Sequence, residues 1–358
     1  MNKTIVLTGG GTAGHITPNL ALIPLLRQRG YEVHYIGDRN GMERRLTEDT
    51  GVTFHGISSG KLRRYLDLKN LTDPFRVAAG VAQSFSLLRR LKPAAIFSKG
   101  GFVSVPVAFA ARLAHVPLVL HESDLTPGLA NRLALGSALR VCTTFPETAA
   151  HLGAKARHTG TPIRAALYEG HAEQGLRLCG WQREGLPVLM SMGGSQGAGA
   201  INAALRAALP KLLKRFRVVH LCGKGNVDEG LKATPGYAQF EYVGAELPDL
   251  LAATAMVVSR AGANSIFEFL ALRKPMLLIP LPLASSRGDQ IDNAKSFAGQ
   301  GFARVLPQET MTADSLYDAI LDTWAKAPAM RAAMEAQGAP DGTMAVLEEI
   351  EKAASARK

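Results

Sequence analysis

The chain writes one supersecondary unit twice. An apolar run, a glycine-rich turn and a helix-periodic segment span Thr4 to Leu22, and the same succession returns at Pro187 to Leu205. Gly10-Gly11-Thr12-Ala13-Gly14 follows Ile5-Val6-Leu7-Thr8, and Gly193-Gly194-Ser195-Gln196-Gly197 follows Val188-Leu189-Met190-Ser191. Further on, Ile96-Phe97-Ser98-Lys99-Gly100-Gly101 is echoed by Val257-Val258-Ser259-Arg260-Ala261-Gly262. Each leads through an Ala/Leu-rich stretch to a proline-led strand, Pro117-Leu118-Val119-Leu120 or Pro275-Met276-Leu277-Leu278-Ile279. The fold class is α/β: two Rossmann-like, doubly wound parallel sheets. Such sheets bind ligands at the carboxyl ends of their strands, so two facing one another would enclose a cleft for two substrates.

The length of 358 residues suits two domains with separate cores. Apolar stretches are short and interrupted by Gly and Pro, which argues against a membrane-spanning helix. The Met1-Asn2-Lys3 start runs straight into a strand without a secretory apolar region, so a cytoplasmic location is expected. Cys142, Cys179 and Cys222 lie far apart and match no zinc spacing. The formal charge of +11 implies an anionic partner. Nucleic acid is disfavoured, because the chain has no stacking-aromatic platform, helix-turn-helix pattern or basic tail. An anionic membrane surface fits better: Leu71, Phe75, Ala78, Ala82, Phe85 and Leu88 recur at roughly helical spacing beside Lys61, Arg63, Arg64, Lys69, Arg76, Arg89, Arg90 and Lys92. The alternative is a core-facing helix with a solvated basic face.

Strands are expected at Thr4-Thr8, Glu32-Ile36, Thr53-Gly56, Ala94-Ser98, Leu118-Glu122 and Arg140-Thr143, then at Pro187-Ser191, Arg217-Cys222, Phe240-Val243, Met256-Ser259, Met276-Ile279 and Ala303-Val305. Thr159-Gly160-Thr161-Pro162 breaks both helix and strand and divides residues 1–161 from 162–340. A helical tail over 341–358 is expected to cross back to the first domain.

Several constellations can carry chemistry. Gly9-x-Gly11-x-x-Gly14 with Asp38 formally fits a dinucleotide fingerprint, but the partial copy at Gly193 to Gly197 and the want of a hydride-transfer site oppose a nicotinamide enzyme. Either turn can instead hold a phosphate on its backbone N–H groups. His15, at the start of the first helix, is placed to take a proton from a substrate hydroxyl. Glu268, on the helix after Ser259-Arg260-Ala261-Gly262-Ala263-Asn264-Ser265, can accept both hydroxyls of a ribose. Arg287-Gly288-Asp289-Gln290-Ile291-Asp292-Asn293 offers polar groups to a sugar. His121-Glu122-Ser123-Asp124 ends a strand with acid-x-acid spacing, but no further ligand supports a metal. Gly193-Gly194-Ser195-Gln196-Gly197 fits a nucleophile elbow, yet only His220 follows Ser195 and no acid lies between them.

These motifs, in this order, resemble the MurG family: Gly10-Gly11-Thr12-Ala13-Gly14-His15, Lys99-Gly100-Gly101-Phe102-Val103-Ser104, His121-Glu122, Gly193-Gly194-Ser195-Gln196-Gly197-Ala198 and Arg260-Ala261-Gly262-Ala263, with Glu268 and Gln290 to Asn293. The resemblance covers essentially the whole chain. It implies a GT-B glycosyltransferase that moves N-acetylglucosamine from UDP-N-acetylglucosamine to the C4 hydroxyl of lipid I, inverting the anomeric carbon and forming lipid II for peptidoglycan. No metal or other cofactor is expected. The implied partners are both substrates, an anionic membrane surface at the cytoplasmic face of the cell membrane and cell-wall synthesis proteins.

Carried over by that resemblance, Glu268 would hold the ribose, and Ser195, Gln196 and Gly197 the diphosphate, with Thr12, Ala13 and Gly14 beside it. Val243 and Gly244 would read uracil with their backbone, while Arg260, Gly262, Ala263, Asn264, Ser265, Asp289, Gln290 and Asn293 complete the donor side. Gly11, Phe102, Asn131 and Arg164 would meet the acceptor. The catalytic candidates are His15 and Asp124, and which of them is the base stays open. The chain departs from the commonest family pattern at Ala13, at Ser123-Asp124 and at Gly199. Of these, Asp124 matters most, since an ionised Asp cannot donate where an Asn can. Two further readings keep the fold and change the role: a GT-B enzyme acting on another lipid such as a diacylglycerol, and a non-catalytic nucleotide-sugar-binding subunit.

Overall fold

The computed structural model describes residues 3–60, 73–194, 197–338 and 340–356. The chain divides into two compact units, Met1–Arg164 with Asp341–Lys358, and Ala165–Pro340.

In the first unit the elements run β1 (Thr4–Thr8), α1 (Thr17–Gln28), β2 (Glu32–Asp38), α2 (Met42–Glu48), β3 (Thr53–Ile57), α3 (Asp73–Leu91), β4 (Ala95–Ser98), α4 (Ser104–Leu113), β5 (Leu118–Glu122), α5 (Leu129–Ala134), β6 (Arg140–Thr143), α6 (Pro146–Leu152) and β7 (Ala156–His158). All strands are parallel, in the order β3-β2-β1-β4-β5-β6-β7. Side chains alternate across the sheet, so Ile5 and Leu7 join Leu22 and Leu26 of α1 on one face. On the other, Val6 and Ile96 meet Leu88 of α3 with Val107 and Ala111 of α4. Both faces are covered, which is why the strands carry consecutive apolar residues, Ile5-Val6-Leu7 in β1 and Ala95-Ile96-Phe97 in β4.

The second unit runs α7 (Ala172–Leu178), β8 (Val188–Met192), α8 (Gly199–Leu212), β9 (Arg217–Leu221), β10 (Tyr237–Phe240), α9 (Leu247–Ala253), β11 (Met256–Ser259), α10 (Ala263–Ala271), β12 (Met276–Leu278), α11 (Asp289–Gly299), β13 (Ala303–Val305) and α12 (Ala313–Gln337). Its parallel sheet has the order β10-β9-β8-β11-β12-β13, the same winding as the first. Leu205, Leu209 and Leu212 of α8 pack with Leu189, Val258 and Leu277 of the strands and with Leu316 and Ile320 of α12. A Thr312–Ser315 capping box starts α12.

The last helix, α13 (Thr343–Ala356), belongs to the first unit. Its Val346, Leu347, Ile350 and Ala353 complete the α1 face of the core. Its Glu349, 4% exposed, receives Arg140 at 3.2 Å and Lys352 at 2.9 Å and pairs with Arg157. The chain enters α13 beside the point where it leaves the unit: Gly342 N–H donates to Thr161 O at 2.9 Å, and Ile163 N–H to Thr343 Oγ1 at 3.1 Å. These bonds carry the first unit through Arg164, rather than ending it at Thr161.

The strands depart from expectation at two places. β10 lies at Tyr237–Phe240 and not Phe240-Val243, because Tyr237 to Phe240 is the stretch in register with Val218 to Leu221. β7, only three residues long and half-exposed, gave no apolar pattern to read. The α3 stripe, open to a membrane-facing and a core-facing reading, divides between them: Leu88 is buried and Phe85 half-buried, whereas Phe75, Ala78 and Ala82 are exposed. Lys61, Arg63, Arg64, Lys69 and Leu71, like Ser195 and Gln196, lie outside the described residues.

Candidate functional site

The first unit's winding reverses between β1 and β4, where doubly wound sheets take their ligands. The turn after β1 is fixed group by group. Asn19, wholly buried on α1, donates to Thr8 O and to the Tyr35 hydroxyl, both at 3.1 Å. Tyr35 in turn donates to Gly9 O at 2.7 Å. His15 Nδ1 lies 3.1 Å from Gly10 O and 3.1 Å from Thr12 Oγ1. A carbonyl only accepts, so Nδ1 carries the proton, and in the neutral ring the lone pair is on Nε2. Gly11, Thr12, Ala13 and Gly14 complete the turn, with Gly11 and Thr12 exposed.

The dinucleotide reading does not survive this geometry. Gly11 N–H is directed to the carboxylate of Glu43 at 3.4 Å, which sets a buried negative charge where a diphosphate would need donors. Asp38, the supposed ribose acid, is committed to Asn40 N–H at 2.8 Å and to the Ser59 hydroxyl.

The turn after β4 lies directly against the turn after β1. A Cβ on Gly101 would fall 2.2 Å from Gly10 O, so only glycine permits the approach. Phe102 follows, half-buried. Lys99 is 1% exposed and its ammonium reaches His121 Nδ1 at 2.8 Å, Thr161 Oγ1 at 3.5 Å and the Ser123 hydroxyl. His121 Nε2 bonds to Gly160 O at 3.0 Å, so it donates there and Nδ1 accepts from Lys99. Burial lowers the Lys99 pKa to about 7 against the opposing pull of Glu122 and Asp124. Burial, then Lys99, holds His121 well below the usual histidine range, and burial, then Asp124, raises Glu122.

The loop after β5 is built around Glu122, which accepts from Asp124 N–H at 3.0 Å, Gly128 N–H at 2.9 Å and Asn131 Nδ2 at 2.8 Å. Asn131 is buried and also donates to His121 O, so it holds the loop instead of projecting from it. Asp124 and Arg164 are half-exposed. The metal reading of residues 121–124 fails because His121 and Glu122 are spent inward.

In the second unit the reversal falls between β8 and β11. The turn after β8 closes with Gly197, whose Cβ would meet Cys222 O at 2.2 Å. After β11, Arg260 donates to Ile279 O at 3.0 Å, Pro280 O at 3.2 Å and Gln308 at 2.6 Å, bracing the loop after β12. Gly262 caps α10, which carries Ala263, Asn264, Ser265 and Glu268. Asn264, Ser265 and Glu268 are half-exposed, while Phe267 and Phe269 on either side of Glu268 are buried. On α11, Asp289 pairs with Arg287 at 3.3 Å and Gln290 accepts from Leu281 N–H at 3.1 Å. Asn293 is wholly buried and donates to Ala261 O at 3.2 Å, which ties α11 to the start of α10. Val243 and exposed Gly244 follow β10, with Gly244 N–H on Glu246 at 3.1 Å.

His220 cannot complete a serine triad. It is buried in β9, with Nε2 on Asn202 Oδ1 at 2.9 Å and Nδ1 on the Tyr237 hydroxyl at 2.7 Å, and burial pushes its pKa down to about 3. Asn202 mirrors Asn19: each sits on the helix after the first turn of its unit and donates to a strand-end carbonyl, Cys222 O or Thr8 O. Sequence reasoning missed this buried layer of Asn19, Tyr35, Glu43 and Asn202.

With this geometry in place, comparison with known proteins is decisive. Residues 5–143 match the glycosyltransferase family 28 N-terminal domain and residues 188–348 its C-terminal domain. A UDP-N-acetylglucosamine–N-acetylmuramyl-(pentapeptide) pyrophosphoryl-undecaprenol N-acetylglucosamine transferase of Lachnoclostridium phytofermentans is 56% identical, covering 89% of this chain and 90% of the relative. The enzyme so named from Geobacillus thermodenitrificans is 53% identical over 99% of this chain and 100% of its own. The chain belongs to the MurG family. The crystal structure of Acinetobacter baumannii MurG superposes with a TM-score of 0.77 at 25% identity, covering 98% of this chain and 99% of that one. The two parallel-sheet domains are those of the GT-B class. MurG-family membership also makes the chain a UDP-N-acetylglucosamine-dependent N-acetylglucosaminyltransferase.

Proposed function

We infer that the chain transfers N-acetylglucosamine from UDP-N-acetylglucosamine to the C4 hydroxyl of the N-acetylmuramyl unit of lipid I, forming lipid II for peptidoglycan synthesis. The observation that carries this reading is more than 50% identity, over nearly the whole chain, to transferases named for that reaction. The donor belongs to the second unit, with Glu268 on the ribose hydroxyls and the Val243-Gly244 backbone at the uracil. The acceptor belongs to the first, near Gly11, Phe102, Asp124 and Arg164.

The reaction is a direct displacement. The acceptor oxygen attacks C1 of the sugar, the C1–O bond to UDP breaks, and the configuration inverts. His15 Nε2 takes the hydroxyl proton, since the Nδ1–H bond to Gly10 O leaves its lone pair on Nε2. Negative charge gathers on the departing diphosphate, and backbone N–H groups of the turn before α8 suit it. Asp124, held by its own backbone bond to Glu122, assists at the acceptor. His15→Ala should lower turnover by about 10²–10⁴-fold with UDP affinity intact. Unchanged turnover would remove His15 from this role.

Among the described residues, no helix is long and apolar enough to cross a membrane. We place the chain peripherally on the cytoplasmic face, docked through α3 and α4. Phe75 is 78% exposed, Leu113 61% and Phe109 39%, beside Arg76, Arg89, Arg90 and Arg112. That apolar and basic mixture suits an anionic bilayer. Sedimentation with vesicles holding anionic phospholipid, lost with neutral vesicles or on Phe75→Ser with Leu113→Ser, checks the placement; equal binding to both vesicles contradicts it.

A further inference from the structure

We propose that Glu43 is a positioning residue that controls His15 through the Gly10–Gly11 peptide group; its bearing on catalysis rests on the reading of His15 as the base. Glu43 stands on α2 with no solvent exposure, and among the described residues no cation pairs with it. A buried carboxylate so placed is costly unless N–H donors satisfy it. Its two donors are backbone groups: Asp38 N–H at 2.7 Å on Oε1 and Gly11 N–H at 3.4 Å on Oε2. The chamber around it is made by three residues without side chains. A Cβ at Gly10 or Gly41 would come within 2.4 Å of the carboxylate, and one at Gly37 within 2.6 Å of its stem.

The decisive relation is covalent. Gly11 N–H and Gly10 C=O are the two ends of one planar peptide group. Glu43 accepts from the N–H end, and His15 Nδ1–H donates to the C=O end at 3.1 Å. A negative charge on the N–H end polarises the peptide and deepens the charge on the carbonyl oxygen, strengthening the bond it receives. The carboxylate thus does at one remove what a carboxylate in direct contact does for a catalytic histidine. It fixes the tautomer with the lone pair on Nε2 and stabilises the imidazolium formed when a proton is taken up. Among the described residues, the other titratable groups at the turn are Tyr35, Asp38 and Lys99. Tyr35 is kept protonated by burial, and the carboxylate of Asp38 is turned to Asn40 and Ser59. The ammonium of Lys99 is turned to His121 and Ser123.

The test begins with the unaltered protein. ¹⁵N imidazole spectra of the full chain, with the His15 signals identified by their loss in His15→Ala, should show Nδ1 protonated and Nε2 bearing the lone pair. In Glu43→Gln, whose side-chain oxygen can still accept from Asp38 N–H, the His15 pKa should fall by on the order of one unit. The acid limb of the turnover profile should move with it. At neutral pH kcat should fall roughly tenfold, with the KM for UDP-N-acetylglucosamine unchanged. Because Glu43 acts through His15, Glu43→Gln should add nothing to the defect of His15→Ala. An Nε2-protonated His15 in the unaltered protein, or a further loss when the two substitutions are combined, would overturn the proposal, and the first readout needs no variant at position 43 to fold. Failure of the base reading looks different: His15→Ala would then keep full turnover while the tautomer still answered to Glu43.

Discussion

Gly11 and Gly101 offer a matched pair of substitutions for asking whether contact between the two first-unit turns holds the site together. Both residues have φ of +84°. A Cβ on Gly11 would meet nothing within 4 Å, whereas one on Gly101 would lie 2.2 Å from Gly10 O and 3.1 Å from Gly10 C. Gly11→Ala therefore carries only the backbone strain of a left-handed L-residue, about 1–2 kcal/mol. Gly101→Ala adds an overlap with backbone that only a parting of the two turns can relieve, about 1–3 kcal/mol more. The expected losses are about 1–2 kcal/mol for Gly11→Ala and about 2–5 kcal/mol for Gly101→Ala. Both tryptophans, Trp181 and Trp324, belong to the second unit, so indole emission follows that unit during urea unfolding. Hydrogen exchange of the β1 and β4 amides follows the first. Gly101→Ala should weaken protection in β1 and β4 by the larger amount, while the indole transition and UDP affinity stay in place. Equal losses in the two variants would refute the contact argument.

Other expectations are as definite. Lys99→Met should change the pH dependence of first-unit stability. With a folded pKa of about 7 against an ordinary value of 10.5, the unfolded chain holds the extra proton between those values, so the native lysine gains stability as pH rises through that window. The variant should lack this gain of up to about 1.4 kcal/mol per pH unit, read as the difference between two urea series. Ile350→Ala should cost about 2–5 kcal/mol in the first unit, because α13 supplies part of that core and Ile350 is wholly buried. Glu268→Ala should raise the KM for UDP-N-acetylglucosamine at least tenfold without altering lipid I saturation, and a deoxyribose donor should close the gap between variant and parent.

The duplicated winding was legible because parallel strands covered on both faces are runs of apolar residues, and each is followed by a glycine turn whose purpose is steric. β1, β4, β8 and β11 are of this kind. β7 was invisible since an Ala-Arg-His edge strand has no apolar face, and β10 was displaced because Tyr242-Val243 carries more strand character than the Gln239 that actually pairs. The candidate polar residues were found by their place after strands, which does not distinguish a side chain aimed at a ligand from one aimed into the turn. Asn131 and Asn293 turn inward to Glu122 and Ala261, and Arg260 braces a loop. Glu43 was hidden for the opposite reason: in Met42-Glu43-Arg44-Arg45 it looks like one charge on a solvated helix, and only the pairing of β2 with β1 carries it under the turn. Lys99 likewise sat in a recognisable motif whose burial no spacing discloses.

The measurement that tests the central claim most directly is transfer of labelled N-acetylglucosamine from UDP-N-acetylglucosamine to a lipid I analogue by the purified chain. A lipid II product in which the new sugar is β-linked to the C4 oxygen is the expected result. Saturable UDP binding without that product, or a product only on a different lipid, would contradict the account.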